Sequence, residues 1–186
     1  MLILKYETFH HQAKQIDRLI DDHIRLTGTL FIQQEELKKL IQKNFPELYV
    51  KDVGWHKIVF GIHGVDKKIV LKVGTQKIIE NDHRAYKRVP ENLRHQLFAR
   101  IFWHTKYCLL QEYGFSAHVS EEELAHLRGV MYRYGIFDVK PENLKRINGQ
   151  LKIIDVNVAP FPLPTVWKMV DETKPKLPKK LVLFIK

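Results

Sequence analysis

Apolar residues recur at helical spacing over the first quarter of the chain. From about Tyr6 to Leu26, positions Ile16, Leu19, Ile20, Ile24 and Leu26 stand among charges three and four residues apart, which predicts an amphipathic helix that Gly28 stops. A second helix is predicted from Gln33 to Lys43, ending before Pro46. From Tyr49 the texture changes. Trp55 to Ile62 and Lys67 to Val73 are short, β-branched and aromatic, and Gly64-Val65-Asp66 between them reads as the turn of a hairpin. Thr75 can cap a helix reaching about Val89, with Pro90 at its exit. Two more strands are predicted near Ala99 to Trp103 and Tyr107 to Glu112. Ser120 caps a helix through about Tyr134, with Glu121, Glu122 and Glu123 in the first turn where negative charge suits the macrodipole. Gly135 ends it, and a polar loop leads to a second hairpin, Leu144 to Ile147 and Leu151 to Ile154, around an Asn148-Gly149 turn. After Ala159, Pro160, Pro162, Pro164, Pro175 and Pro178 forbid a long helix except near Val166 to Glu172. The expected plan is α+β in two lobes: an N-terminal helical extension over 1–48, a small antiparallel sheet with one inserted helix over 49–114, and a reduced second lobe with a basic Pro/Lys-rich tail over 115–186.

Composition narrows the class. With 186 residues, 45% hydrophobic and only 9 Gly and 8 Pro, the chain is long and apolar enough for a folded core and excludes collagenous or low-complexity readings. Its one cysteine, Cys108, rules out an internal disulfide framework and, inside a predicted strand, reads as buried and inert. The Leu2-Ile3-Leu4 start is too short for a signal peptide or a spanning helix, so a reducing, cytoplasmic location without a membrane partner is expected. The ten histidines lie at no metal-ligand spacing with a Cys or acid, which argues against zinc.

Charge is the skewed quantity. A net charge of +10 calls for anionic company: nucleic acid, membrane surface, acidic protein or nucleotide phosphate. Lys174, Lys176, Lys179, Lys180 and Lys186 meet no acid after Glu172, so the tail holds half of the excess. It could hold an acidic protein partner or simply be solvated.

The stretch that carries chemistry is Asp138-Val139-Lys140-Pro141-Glu142-Asn143, followed across the hairpin by Ile153-Ile154-Asp155. Phosphoryl transfer needs Mg²⁺, which takes carboxylate, amide and phosphate oxygens, and a group that orients the attacking hydroxyl. Two acids and an amide at the ends of a tight hairpin supply that set, because the two strands return Asp155 to the loop holding Asp138 and Asn143.

These residues resemble the protein-kinase-like superfamily, whose catalytic loop reads Asp, any residue, Lys, Pro, any residue, Asn, with a metal-binding Asp on the next hairpin. The match stands at Asp138, Lys140, Pro141, Asn143 and Asp155 and extends over about Asp52 to Val158. An Asp and Asn that merely cap a turn are the plain alternative. The resemblance implies a two-lobed protein-kinase-like fold with a strongly reduced second lobe, that is, a minimal, truncated kinase-like protein of bacterial or archaeal type. It also implies a site in which Asp138 and Lys140 are catalytic, Asn143 and Asp155 hold Mg²⁺, and Lys72, ending Ile69-Val70-Leu71-Lys72, meets the phosphates of ATP. An acid on the following helix should pair with that lysine. Asp82 shares the apolar face with Ile78, Ala85, Tyr86 and Val89, whereas Glu80 lies with Arg84 and Lys87 on the charged side, so Asp82 is preferred and Glu80 is the alternative. Leu109-Leu110-Gln111-Glu112-Tyr113-Gly114 resembles the hinge that meets adenine, which puts Glu112 and Gly114 with the nucleotide; a plain edge strand is the alternative.

Departures from the family are specific. Of the phosphate-loop glycines only Gly54 stands before Val59, with Trp55, His56 and Lys57 filling the turn, although Lys57 could neutralise phosphate. Ile136 and Phe137 replace the usual His-Arg, and Asp155-Val156-Asn157 keeps the metal ligand but loses the glycine of the Asp-Phe-Gly motif. Only 31 residues follow Asp155, so no activation segment or peptide-docking platform is expected. Three functions therefore compete: an ATP- and Mg²⁺-dependent kinase acting on a hydroxyl of a protein or small molecule, a pseudokinase or nucleotide-gated binding module without turnover, and a nucleic-acid-binding protein. Nucleic acid has no recognised fingerprint, and Trp103 beside His104 reads as packing rather than a stacking platform.

Overall fold

Side chains along the three central strands of the first sheet are buried on both of its faces. The computed structural model describes residues 2–29, 32–54, 56–65, 68–116 and 118–156, with 2–8 as backbone alone. Trp55, Asp66, Asn157, the helix expected near 166–172 and the basic tail lie outside them. The described chain is α+β and falls into two compact units, Met1–His83 with Arg100–Tyr113, and Arg84–Ala99 with Gly114–Lys186.

The first unit opens with helices α1 (Leu2–Thr27) and α2 (Gln34–Asn44), followed by strands β1 (Leu48–Val53), β2 (Lys57–Ile62) and β3 (Ile69–Gly74). Helix α3 (Gln76–Arg88), divided between the units at His83, leads to helix α4 (Glu91–Leu97) of the second. Strands β4 (Ile101–His104) and β5 (Cys108–Glu112) complete an antiparallel five-stranded sheet in the order β1-β2-β3-β5-β4. The strand register sets Phe60 opposite Leu71 and Leu71 opposite Leu110, and these side chains with Ile58, Val73 and Cys108 meet Ala13, Ile16 and Ile20 of α1 and Leu37 and Ile41 of α2 in one core. The two N-terminal helices therefore share the core of the sheet; they do not stand apart from it. Asp17 of α1 fastens this layer, accepting bonds from the Thr105 hydroxyl at 3.0 Å and the Tyr107 N–H at 2.9 Å in the β4–β5 turn.

Residues of opposite parity point to the other face. There Val59, Lys72 and Leu109 stand in register across three strands, and Val70 faces Gln111. All five are buried, together with Lys57. Cys108 is fully buried and burial holds its thiol well above the ordinary range, so it is inert as a nucleophile.

In the second unit, strand β6 (Phe115–Ser116), helix α5 (Glu121–Tyr132), a 3-10 turn (Pro141–Asn143) and strands β7 (Leu144–Ile147) and β8 (Gln150–Ile153) follow, with a sheet in the order β6-β7-β8. Asn148 and Gly149 both take positive φ, 52° and 80°, as a two-residue hairpin turn that matches strand twist requires. Helix α5 begins in a capping box: the Ser120 hydroxyl accepts the Glu123 N–H while the Glu123 carboxylate accepts the Ser120 N–H. Replacing Ser120 by alanine should cost about 1 kcal/mol in chemical denaturation.

The same box is sensitive to acid. The bond from the Ser120 N–H, reinforced by Arg146 at 3.3 Å, holds the Glu123 carboxyl below its ordinary value of 4.5. A folded-state value below the unfolded one means that the contribution is complete above that ordinary value and is lost as pH falls through the folded one. Wild type and Glu123→Gln should thus differ in melting temperature at neutral pH and converge on acidification; a constant difference would contradict the assignment.

Candidate functional site

Three buried apolar anchors hold the loop between α5 and β7. Ile136, Val139 and Leu144 are 1% exposed each, and they leave Asp138, Lys140 and Asn143 between them turned out of the core. Arg128 of α5 donates from Nε to the Val139 carbonyl at 3.0 Å, so the helix fixes the loop through its backbone. The Lys140 ammonium lies 2.6 Å from Asp138 Oδ1. Its pKa is raised first by that hydrogen bond and then by the charge of Asp138, with Glu142 and Asp155 adding to it, so the site keeps one cation among three carboxylates.

Asn143 links loop and hairpin. Its Nδ2 donates to the Asp138 carbonyl at 3.1 Å, which assigns the nitrogen to the loop and leaves Oδ1 as the end available to a cation. Its carbonyl accepts the Ile154 N–H at 2.8 Å, extending the β7–β8 ladder by one pair beyond Leu144 and Ile153 and setting Asp155 next after it. Asp138, Lys140, Asn143 and Asp155 thus come together in the second unit. Among the described residues no three His, Cys, Asp or Glu side chains are grouped to hold a metal ion by themselves. One amide oxygen and one carboxylate fit a magnesium ion that arrives with phosphate oxygens, and they do not fit a cage built from protein alone.

Lys72 and Asp82 belong to the first unit. Lys72 is 2% exposed and its Nζ lies 3.8 Å from Asp82 Oδ2. Asp82 is buried on the inner face of α3 with Ile79, Ala85 and Tyr86, whereas Glu80 is exposed and bonds to Gln76. The acid beside Lys72 is therefore Asp82. Sequence reasoning missed the other partner: Lys57, also buried, donates to Asp82 Oδ2 at 2.6 Å. Strand parity carried the signal, since Lys57 shares a face with Val59 and hence with Lys72, but the meeting with a helix 25 positions later depends on tertiary packing.

Gly54 closes the β1–β2 turn, its N–H donating to the Lys57 carbonyl at 3.0 Å while its own carbonyl accepts from the Gln34 amide. A Cβ at Gly54 would meet the Lys57 oxygen at 3.5 Å, an ordinary contact, so this turn does not demand glycine. Glu112 ends β5 with its N–H bonded to the Arg100 carbonyl at 2.9 Å and its carboxylate accepting the Arg100 N–H at 3.0 Å. The Tyr113 N–H donates to the Lys68 carbonyl at 2.6 Å. Gly114 opens the second unit, where a Cβ would collide with the Arg146 carbonyl and Ile147, so its missing side chain serves close approach to β7.

No family model matches the chain, and no curated protein is significantly similar to it.

Proposed function

We propose that the chain is an ATP- and Mg²⁺-dependent phosphotransferase with the two-lobed kinase-like plan that its loop resembles. The carrying observation is the bonding of Asn143: its amide nitrogen donates to the Asp138 backbone carbonyl and its own carbonyl accepts the N–H of Ile154, the residue before Asp155, which supports one proton-accepting carboxylate and two oxygen ligands on a common frame. In this reading Asp138 orients an acceptor hydroxyl and takes its proton as that oxygen bonds to the γ-phosphorus of ATP and the bond to the β–γ bridging oxygen breaks, releasing ADP. Lys140, held cationic beside Asp138, offsets charge on the transferring group. Asn143 Oδ1 and the Asp155 carboxylate would hold the magnesium ion, which supplies charge neutralisation on the phosphates. In the first unit, Lys72 beside Asp82 would provide positive charge for phosphate oxygens, and Glu112 at the end of β5, with Gly114 two residues on, would mark the segment for adenine.

A second reading, nucleotide binding without turnover, is favoured by the β1–β2 turn, in which Gly54 is dispensable by shape and Lys57 is engaged with Asp82. One experiment separates the two. With Mg²⁺, ATP should raise the melting temperature of the chain and labelled phosphate should move to the chain itself or to an added hydroxyl acceptor. Asp155→Ala should lose the Mg²⁺-dependent part of the stabilisation. Stabilisation without transfer to any acceptor selects the second reading; the absence of both rejects nucleotide chemistry.

A further inference from the structure

The three-stranded sheet of the second unit sets an exposed hydroxyl among cations. Strand β6 pairs with β7 so that Ser116 stands opposite Lys145, and β7 pairs with β8 so that Lys145 stands opposite Lys152. Partners in register project from the same face of a sheet, their Cβ atoms about 5 Å apart, so one hydroxyl and two lysines form a row across the three strands. Within it Lys145 Nζ donates to Ser116 Oγ at 2.9 Å. Ser116 is exposed and both lysines are half-buried, so the hydroxyl can be reached without opening the fold. Arg146, next along β7 and hence on the opposite face, serves the Glu123 carboxylate at 3.3 Å.

Other hydroxyls stand in different company. Thr105 donates to the Asp17 carboxylate, and Ser120 shares its capping box with the Glu123 carboxylate, so a phosphate on either would meet negative charge. On Ser116 the same group would meet Lys145 and Lys152. A phosphoserine carries a charge of about −1.5 to −2 and three strong acceptor oxygens, and charge-assisted bonds of that kind are roughly twice as strong as neutral ones. It would also set a dianion where two like charges face each other across the ladder, an opposition that costs stability. We propose that Ser116 is a phosphorylation site and the chain's own acceptor hydroxyl. This deepens the phosphotransferase reading and rests on it. The Ser116 oxygen bonds to the γ-phosphorus of ATP as the bond to the β–γ bridging oxygen breaks, ADP leaves, and the hydroxyl proton passes to the Asp138 carboxylate. The product fastens β6, a strand of only two residues, to β7 and β8.

The test has two arms, both on the full chain. With Mg²⁺ and labelled ATP, phosphopeptide mapping should place the label on Ser116, and Ser116→Ala should lose it while ATP still raises its melting temperature. The second arm needs no turnover: phosphoserine installed at position 116 during synthesis should raise the melting temperature by about 2–4 °C over the unmodified chain. That gain should shrink at high salt, because the row is open to solvent, and disappear when Lys145→Gln and Lys152→Gln are combined. Label that maps to another residue or to an added acceptor alone, at a level unchanged by Ser116→Ala, overturns the assignment and leaves the phosphotransferase reading standing. Installed phosphoserine that gives no gain, or a gain indifferent to both lysine substitutions, overturns it as well. If ATP neither stabilises the chain nor gives up its phosphate to any acceptor, the phosphotransferase reading falls and this one with it.

Discussion

Replacing Asp82 by asparagine is expected to lower the unfolding free energy by about 3–5 kcal/mol, the usual loss when one partner of a buried ion pair is removed. Lys57 and Lys72 both reach the Asp82 carboxylate, at 2.6 and 3.8 Å, and both are more than nine-tenths buried. Asparagine preserves the shape and one acceptor but removes the negative charge that two ammonium groups share. The loss should appear as a lower denaturant midpoint with an unchanged slope, since the surface exposed on unfolding stays the same. Adding Lys57→Met to the variant should recover part of it, because the shorter of the two contacts then no longer leaves a buried cation behind, and a double-mutant cycle measures that coupling. A loss under about 1 kcal/mol would mean that water reaches these groups and that the cluster is not the buried assembly described.

The stability of the cluster does not explain its presence. Well-packed apolar residues in place of a buried ion pair are often neutral or stabilising. Two buried lysines on one sheet face, reaching Asp82 of α3, are what the proposed phosphate role would require. ATP with Mg²⁺ should accordingly stabilise wild type more than any variant in which Lys72 has become methionine.

The second large effect concerns turnover alone. Asp138→Asn should reduce phosphoryl transfer by about 10²- to 10⁴-fold, the range for losing a positioned general base. Its effect on stability should stay within about 1 kcal/mol, because the Asp138 and Lys140 side chains are 21% and 54% exposed and a pair of that kind contributes little. The Asn143 bond to the Asp138 backbone carbonyl does not involve the side chain that changes, so the loop should keep its form. Undiminished transfer in a folded Asp138→Asn protein would remove Asp138 from the proposed chemistry. Loss of transfer together with loss of fold would instead show that the pair is structural.

Several elements were legible because their causes are local. The Ser120 cap, the Asn148-Gly149 turn and the apolar spacing of α1 and α2 are each written within a few adjacent residues, and the structure places them within one or two positions of expectation, except the start of α1, which lies four residues earlier. Helix α4 was missed because Pro90 read as an exit, whereas proline is equally at home where a helix begins, and here it stands at the N-cap of Glu91–Leu97. Strand β1 was missed because its outer positions are half-exposed, as suits a sheet edge, and lack the dense β-branched texture of β2 and β3. The inner position of Asp82 was legible from helical parity alone, since a carboxylate at the spacing of Ala85 and Tyr86 must face inward with them.

By itself the amino-acid order determined the α+β class, the boundaries of every described helix but α4 and of both hairpins to within a few residues, and a loop in which Asp138, Lys140 and Asn143 stand at fixed separations, because backbone propensity, capping and turn chemistry act over short stretches. Tertiary structure alone decided that α1 and α2 share the sheet's core, that Lys57 reaches Asp82, and that Gln111 is buried without a donor. These depend on strand register and on which helix packs against which face. Such meetings join residues tens of positions apart, where the energy of a contact comes from burial and charge pairing that no local pattern encodes.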